Sequence, residues 1–288
     1  MNRQRKSTVN PRRINKRYGR SAGWRAALSG ALLLYAAGAA ANHPVLVEGE
    51  QDFDGDGLLG IAEDSDNSND QIFGTINAAL AAANRGVNQN GHVIIVTSGR
   101  FLETVVITAV NGDVTLQAAP GVEAEIEAVR AGDAVGNPLR QAAAGIVVNA
   151  PANRIVTLRN LVSRNWTDGI VASGNSRVVI DNCRSEHNKN FGIHVMDAAK
   201  ATITNSHVVG SGSRVGAGVD NTPAPGIGIG FEGTASGVIA TTTVSGSFAA
   251  GISNMTGGNR AVRVYNSTVV FDNSPDFVGV RPPINAFF

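Results

Sequence analysis

The stretches Asp168-Gly-Ile-Val171 and Phe191-Gly-Ile-His-Val195 carry the same glycine–isoleucine pair, 23 residues apart. The second half of the chain contains five such pairs: Gly145-Ile146, Gly169-Ile170, Gly192-Ile193, Gly228-Ile229 and Gly251-Ile252. The steps between successive glycines are 24, 23, 36 and 23 residues. Repeats of this length indicate a solenoid, in which each repeat buries its apolar face on its neighbour.

The composition favours short strands over helices. Of 288 residues 34 are glycine, whereas aromatic residues make up only 5% and charged residues 16%. Small β-branched residues joined by tight turns suit short strands. Turn residues separate three β-rich runs, which are residues 92–97, 104–107 and 113–117. Three strands per turn of chain predict a three-sided helix of parallel β-strands.

A helical stripe precedes these runs. Ile72, Ile76 and Leu80 recur at steps of four within residues 72–83. A short amphipathic helix here would cover the first coil, which has no neighbour to bury its apolar end. The sequence therefore predicts an all-β solenoid over residues 72–288 with a short N-terminal capping helix.

A second repeated position carries asparagine. Asn160, Asn182, Asn205 and Asn266 each follow an alternating strand, and Thr241 takes this place in the fourth repeat. Position-matched amides predict an inward asparagine ladder, in which stacked side chains satisfy turn backbone groups. We interpret these residues as structural.

The motifs Asp168-Gly-Ile-Val171, Phe191-Gly-Ile-His-Val195 and Arg177-Val-Val-Ile-Asp-Asn-Cys183 resemble the repeats of right-handed parallel β-helix proteins of the pectate-lyase-like superfamily. The likeness covers roughly residues 72–275. The superfamily includes polysaccharide lyases, glycoside hydrolases, uronate epimerases and proteins without known catalysis. The resemblance therefore implies a right-handed three-sided parallel β-helix and leaves the reaction open.

The N-terminal region is basic and then apolar. Nine Lys or Arg residues and no acid precede residue 42, and residues 26–41 form an apolar run. A membrane-spanning helix needs about 20 residues, so this shorter run predicts an export signal over residues 1–41, cleaved near residues 39–42. The mature chain would be secreted, periplasmic or on the cell surface, without a stable membrane span. An uncleaved anchor is the alternative.

Residues 42–71 are an acidic linker that contains the motif D-x-[DN]-x-[DN]-G-x5-E of calcium loops. Three aspartates supply hard oxygens, a carbonyl adds a fourth ligand, and a glutamate closes the site. The pattern predicts a structural calcium that orders the leader of the β-helix, and an acidic linker without metal is the alternative. The predicted ligands are Asp52, Asp54, Asp56, the carbonyl of Leu58, and Glu63.

Few outward positions titrate. If the isoleucine of each pair points inward, alternation turns outward the residues one and three places after it. This places His194 and Glu232 diagonally on adjacent coils, roughly 7–8 Å apart, with Asp197 close by. Such a group is either an ordinary exposed pair or a site that abstracts a proton from a uronic acid.

The 36-residue step holds 13 extra residues, roughly 211–225. Long loops on a rigid scaffold often carry function, and this one should overhang the face that holds His194. A tolerated insertion is the alternative. The predicted substrate-binding residues are His194, Glu232, Asp197, Arg214 and Asp220.

The sequence thus predicts an exported, calcium-stabilised β-helix protein that binds an extracellular polysaccharide, with catalysis unproven. The alternatives are a polysaccharide lyase or uronate epimerase, and a structural cell-envelope protein. From residue 42 onward 15 basic residues face 23 acids, a net charge of −8. Because binding to nucleic-acid phosphates needs a basic surface, we expect no nucleic-acid partner.

Overall fold

The computed structural model of the protein describes residues 45–47, 72–83, 91–128, 144–212, 226–258 and 261–282, all within the compact unit Ala40–Phe288. The predicted export signal lies outside the described residues. So do five predicted calcium ligands (Asp52, Asp54, Asp56, Leu58 and Glu63) and two predicted substrate-binding residues (Arg214 and Asp220).

The described strands form three parallel sheets. In spatial order, the first sheet holds β2 (Ile72–Phe73), β1 (Val45–Val47), β3 (His92–Ile95), β6 (Val114–Ala118), β9 (Ile155–Arg159), β12 (Arg177–Asp181), β15 (Lys200–Thr204), β18 (Ser236–Ala240) and β21 (Val262–Val264). The second holds β22 (Val269–Phe271), β19 (Thr243–Ser245), β16 (His207–Val209), β13 (Arg184–Glu186), β10 (Leu161–Arg164), β7 (Ala124–Glu127) and β4 (Gly99–Phe101). The third holds β23 (Phe277–Val278), β20 (Ala250–Asn254), β17 (Ile227–Phe231), β14 (Phe191–Val195), β11 (Asp168–Ala172), β8 (Ala144–Val148) and β5 (Val105–Ile107).

Each turn of the chain adds one strand to each sheet in the same order, as in β9, β10 and β11. Corresponding residues of successive coils pair in register. On the third sheet this aligns one buried row, each residue at most 1% exposed: Ile146, Ile170, Ile193, Ile229 and Ile252. The predicted three-sided parallel β-helix is therefore confirmed, and its core is a set of aliphatic rows along the axis.

The helix α1 (Ile76–Ala83) packs against the first strands and buries Ile76 and Leu80. Ile72, which the helical stripe included, lies instead in β2. The first coil supplies the helix cap, because Glu103 accepts hydrogen bonds from the backbone amides of Ile76 (2.7 Å) and Asn77 (3.1 Å). These amides begin the helix and have no partner within it.

The inward asparagine ladder is wrong. Asn160, Asn182 and Asn205 have φ of 58°, 51° and 51° and stand at the corner between the first and second sheets. Asn182 donates to Asn160 Oδ1 at 2.8 Å, but both Asn182 and Asn205 are exposed, and Asn205 donates instead to Asp181 Oδ1. Asparagine recurs here because it tolerates the left-handed backbone of the turn.

The glycine of the repeated pair is set by the distance between coils. A Cβ on Gly169 would lie 2.5 Å from both the Asn188 side-chain nitrogen and the Gly192 carbonyl oxygen of the next coil. Gly228 is equally close to the Gly251 carbonyl oxygen. Because the coils cannot separate without breaking their ladder, only glycine fits this position.

We therefore expect Gly169→Ala to destabilise the fold by about 1–3 kcal/mol, since overpacking forces backbone shifts. Urea unfolding followed by circular dichroism measures this loss. Gly99→Ala is the matched control, because a Cβ at Gly99 on β4 meets nothing within 4 Å. Equal midpoints for the two variants would contradict the close-approach explanation.

Candidate functional site

Three titratable side chains meet on the outer face of the third sheet. They come from successive coils: Asp168 begins β11, His194 lies in β14, and Glu232 directly follows β17. His194 Nε2 is 3.2 Å from Glu232 Oε2, and His194 Nδ1 is 3.7 Å from Asp168 Oδ2. We call these three residues the acid–histidine cluster.

An aromatic ring fixes the plane of the histidine. The rings of Phe191 and His194 stack with centroids 3.9 Å apart and an interplanar angle of 13°. A Cβ at Gly230 would lie 2.5 Å from the Phe191 ring, so glycine on the next coil leaves the space that the ring fills. Phe191 also packs in a small apolar group with Ile227 and Ala250.

The two carboxylates of the cluster are partly exposed to solvent, whereas the histidine is nearly buried. Side-chain exposure is 8% for His194, 21% for Asp168 and 38% for Glu232. His194 Nε2 is buried and has no aligned hydrogen bond among the described residues, so its contact with Glu232 is an ion-pair contact. Asp168 is held from the other side, where its Oδ1 accepts a hydrogen bond from the Phe191 amide at 3.2 Å.

The two carboxylates make His194 easier to protonate. Burial alone would lower the pKa of His194, but the neighbouring carboxylates of Asp168 and then Glu232 outweigh it and raise the pKa above the ordinary 6.5. The imidazolium form therefore persists to higher pH than in a free histidine. In that state the three groups together carry one net negative charge.

Of the three predicted substrate-binding residues within the described ranges, the structure brings together His194 and Glu232. Asp197 is exposed, has φ of 60°, and its Oδ2 accepts a hydrogen bond from the Gly174 amide at 2.9 Å. Its carboxylate thus holds the turn between the third and first sheets. All three residues remain predictions as ligand contacts.

Reasoning from sequence missed Asp168 and Phe191 as members of the site. Both directly precede the glycine of the repeated pair, and they are partners in the β11–β14 register. The available signal was this shared position immediately before the glycine of the repeated pair.

The insertion returns to its starting point. A Cβ built on Gly226 would lie 2.9 Å from the Gly212 Cα, so the coil continues as if residues 213–225 were absent. Both glycines also adjoin Phe248, whose side chain is exposed. The insertion point is therefore the corner between the second and third sheets, after β16 and before β17.

Metal and thiol chemistry find no support in the described part of the chain. Among the described residues, no group of three or more His, Cys, Asp or Glu side chains is arranged to hold a metal ion. Cys183 is buried, and burial is the main cause that raises the pKa of its thiol to about 12. A thiol with that pKa is inert as a nucleophile. The described helix is also too short to cross a membrane.

The raised pKa makes a pH-dependent contribution to stability. The folded state binds the His194 proton more tightly than the unfolded state, so the contribution is fully present below about pH 6.5. It is lost as the pH rises through the raised pKa. We expect the Tm advantage of the wild type over His194→Gln to shrink as the pH rises from about 6.5 through the raised pKa. Thermal unfolding at each pH measures it.

His207→Gln is the control for that series, because His207 is exposed on β16 of the second sheet. Its Tm difference from the wild type should lack the same trend. A His194→Gln difference that stays constant or grows with pH would show that the carboxylates do not hold the proton.

Sequence comparison finds no curated protein that matches this chain. Two solved structures show a low similarity to it. An alginate lyase from Paenibacillus sp. str. FPU-7 is 16% identical with a TM-score of 0.43, over 72% of this chain and 73% of that one. The pectate lyase Pel9A is 14% identical with a TM-score of 0.43, over 86% of this chain and 79% of that one.

The family described as the right handed beta helix region matches the sequence over residues 84–228 and again over residues 144–275. These matches cover more than half of the chain and include every glycine–isoleucine pair. They confirm the resemblance that the repeat motifs indicated, including the hand of the solenoid. The chain therefore belongs to the right-handed β-helix family.

Proposed function

We propose that this is an exported β-helix protein that binds an extracellular polysaccharide at the acid–histidine cluster on the outer face of its third sheet. One observation carries the proposal. A nearly buried histidine on the outside of a regular solenoid holds two partly exposed carboxylates, from the coils on either side of it. Such an arrangement is unlike a solvated surface pair, in which both charges remain free to move.

The exposed groups suit sugar hydroxyls. Ionised carboxylates only accept hydrogen bonds, and hydroxyl groups are their natural donors. His194 orients Asp168 and Glu232 and offsets part of their repulsion, and each carboxylate lies on a coil adjacent to that of His194. A polymer that runs along the solenoid axis would present successive hydroxyls to successive coils.

Binding fits the geometry better than base catalysis by His194. A catalytic base must reach the proton that it removes, but His194 Nε2 is buried behind Glu232. The raised pKa also keeps His194 protonated to higher pH than a free histidine, and a protonated imidazole accepts no proton. The residues that a ligand reaches first are therefore Glu232 and Asp168.

A second candidate function is a polysaccharide lyase or uronate epimerase. The specific observation in its favour is that His194 lies between carboxylates in a water-poor position, as a tuned acid–base group would. Because His194 would act as a base only when neutral, such an activity would increase as the pH rises through its raised pKa. The third possibility, a structural envelope protein, requires no ligand at all.

We expect Glu232→Gln to weaken binding to the preferred polysaccharide about two- to tenfold, because one charged acceptor is replaced by a neutral one. Affinity electrophoresis against neutral and uronic-acid polysaccharides measures the change. Asp272→Asn is the matched control, since Asp272 is an exposed carboxylate after β22 of the second sheet. It should bind like the wild type.

The same polysaccharides are incubated with the protein and scanned for absorbance of unsaturated uronides. Retention without absorbance supports binding. Absorbance that increases with pH and is lost in His194→Gln would establish the lyase instead. No retention of the wild type by any polysaccharide would contradict the proposal and leave the structural role.

We also propose that the acidic linker binds one structural calcium ion through Asp52, Asp54, Asp56, the Leu58 carbonyl and Glu63. The support is the sequence motif, whose every specified position is filled. Its position just before the capping helix α1 would let the ion order the entry to the first coil. Export through residues 1–41 is consistent with an environment in which calcium is plentiful.

We expect calcium at ten times its Kd to stabilise the purified protein by about 1.4 kcal/mol, with a Kd of about 10⁻⁴–10⁻³ M as in extracellular modules. Thermal unfolding with calcium and with EDTA measures this, and magnesium at the same concentration is the control. Glu63→Gln should remove most of the effect. An identical Tm in calcium and EDTA would exclude the site.

A further inference from the structure

The outer face of the first sheet carries a groove with three exposed cations. The groove has a volume of about 340 Å³ and crosses β9, β12, β15, β18 and β21. Arg177, Lys200 and Arg263 line it, and we call it the basic groove. Its floor is smooth, because Val179, Thr202 and Val238 form one row of the register.

The register sets the spacing of the cations. Arg177 pairs directly with Lys200 on the next strand, so their Cα atoms are about 4.8 Å apart along the axis. Arg263 continues the Val179–Thr202–Val238 row on β21. The five strands span roughly 19 Å, which makes the groove long enough for an extended polymer rather than a single small anion.

These cations have no partners in the described part of the chain. Neither an ion pair nor a hydrogen bond joins the side chain of Arg177, Lys200 or Arg263 to any described residue. None of the residues that line the groove is acidic. Two carboxylates adjoin the groove and have partners of their own: Asp113 accepts a hydrogen bond from the Ile155 amide, and Asp181 of β12 pairs with Arg159 of β9.

On the second sheet, by contrast, three arginines form ion pairs with glutamates. Arg100 pairs with the buried Glu127, Arg164 pairs with Glu125 and Glu127, and Arg184 pairs with Glu123 and Glu186. Each of these arginines is neutralised within the molecule. Like charges placed side by side repel each other. A bound anion from outside the chain would therefore reduce the repulsion between Arg177 and Lys200.

We propose that the basic groove binds an anionic polysaccharide, with carboxylate or sulfate groups held between Arg177, Lys200 and Arg263. This site lies on a different sheet from the acid–histidine cluster and stands independently of the function proposed for it. An arginine beside a lysine suits a bidentate oxyanion together with a second charge. The polymer would follow the axis, because the cations do.

A polysaccharide fits this groove better than a lipid surface or a nucleic acid. Membrane binding by cations is usually reinforced by exposed apolar side chains, and none of the large exposed apolar residues of the described chain lines the groove. Nucleic-acid binding is unfavourable because the net charge from residue 42 onward is −8, and this charge would repel the phosphates of a nucleic acid.

The test measures retention of the full protein on polygalacturonate, dextran sulfate and neutral dextran, over a series of salt concentrations. We expect at least one polyanion to retain the protein, and this retention should weaken as the salt concentration rises. The basic groove should not bind neutral dextran. Lys200→Gln should weaken polyanion binding about two- to fivefold, and Arg177→Gln with Lys200→Gln should weaken it further. Arg281→Gln, which removes an exposed cation outside the groove, should leave it unchanged.

Glu232→Gln separates the two sites on dextran sulfate, which carries no uronic acid: it should leave that binding intact while changing the binding proposed for the acid–histidine cluster. The basic groove is excluded if the wild type binds neither polyanion. It is also excluded if Arg281→Gln and Lys200→Gln weaken binding equally, since that would be a general charge effect. Binding to phosphatidylglycerol vesicles without binding to either polyanion would assign the cations to a lipid surface instead.

Discussion

The stacking of each coil on the next is the interaction on which this protein depends. Parallel ladders hold successive strands in register, and the register aligns Ile146, Ile170, Ile193, Ile229 and Ile252 into one buried row. No single coil can bury its own apolar side, so the fold exists only as a stack. Four of the five repeated glycines have the same origin, because at Gly169, Gly192, Gly228 and Gly251 the carbonyl of the next coil occupies the space of a side chain.

Stacking also turns each sheet into a periodic surface on which charges from distant parts of the sequence become neighbours. The three sheets use this differently. On the second sheet, arginines and glutamates neutralise each other. On the third, a histidine holds two carboxylates. On the first, the cations of the basic groove face solvent without partners in the described chain. A scaffold with rigid, separately charged faces is well suited to a long polymer.

Sequence reasoning recovered the features that periodicity determines. It predicted the solenoid and the inward isoleucines, and it placed His194 beside Glu232 by counting the register. The expected 7–8 Å described their positions on the sheet, whereas flexible side chains close the gap to 3.2 Å between atoms. It failed where the local backbone geometry decides which way a side chain points. The left-handed corner turns the asparagines outward, and Asp168 joins the site from the start of β11, where counting alternate residues from His194 does not place it. Asp197 was assigned by proximity, but its carboxylate is used by the Gly174 amide.

Cysteine cross-linking tests the stacked register most directly. Thr157 and Val179 are register partners on adjacent coils, about 4.8 Å apart, whereas Thr157 and Thr202 are two coils apart, about 9.6 Å. Disulfides require Cα atoms within about 7 Å. The native Cys183 does not interfere, because it is buried and its thiol has a pKa of about 12. We predict that oxidation cross-links Thr157→Cys with Val179→Cys and leaves Thr157→Cys with Thr202→Cys reduced. The reverse result would contradict the stacking of coils in this register.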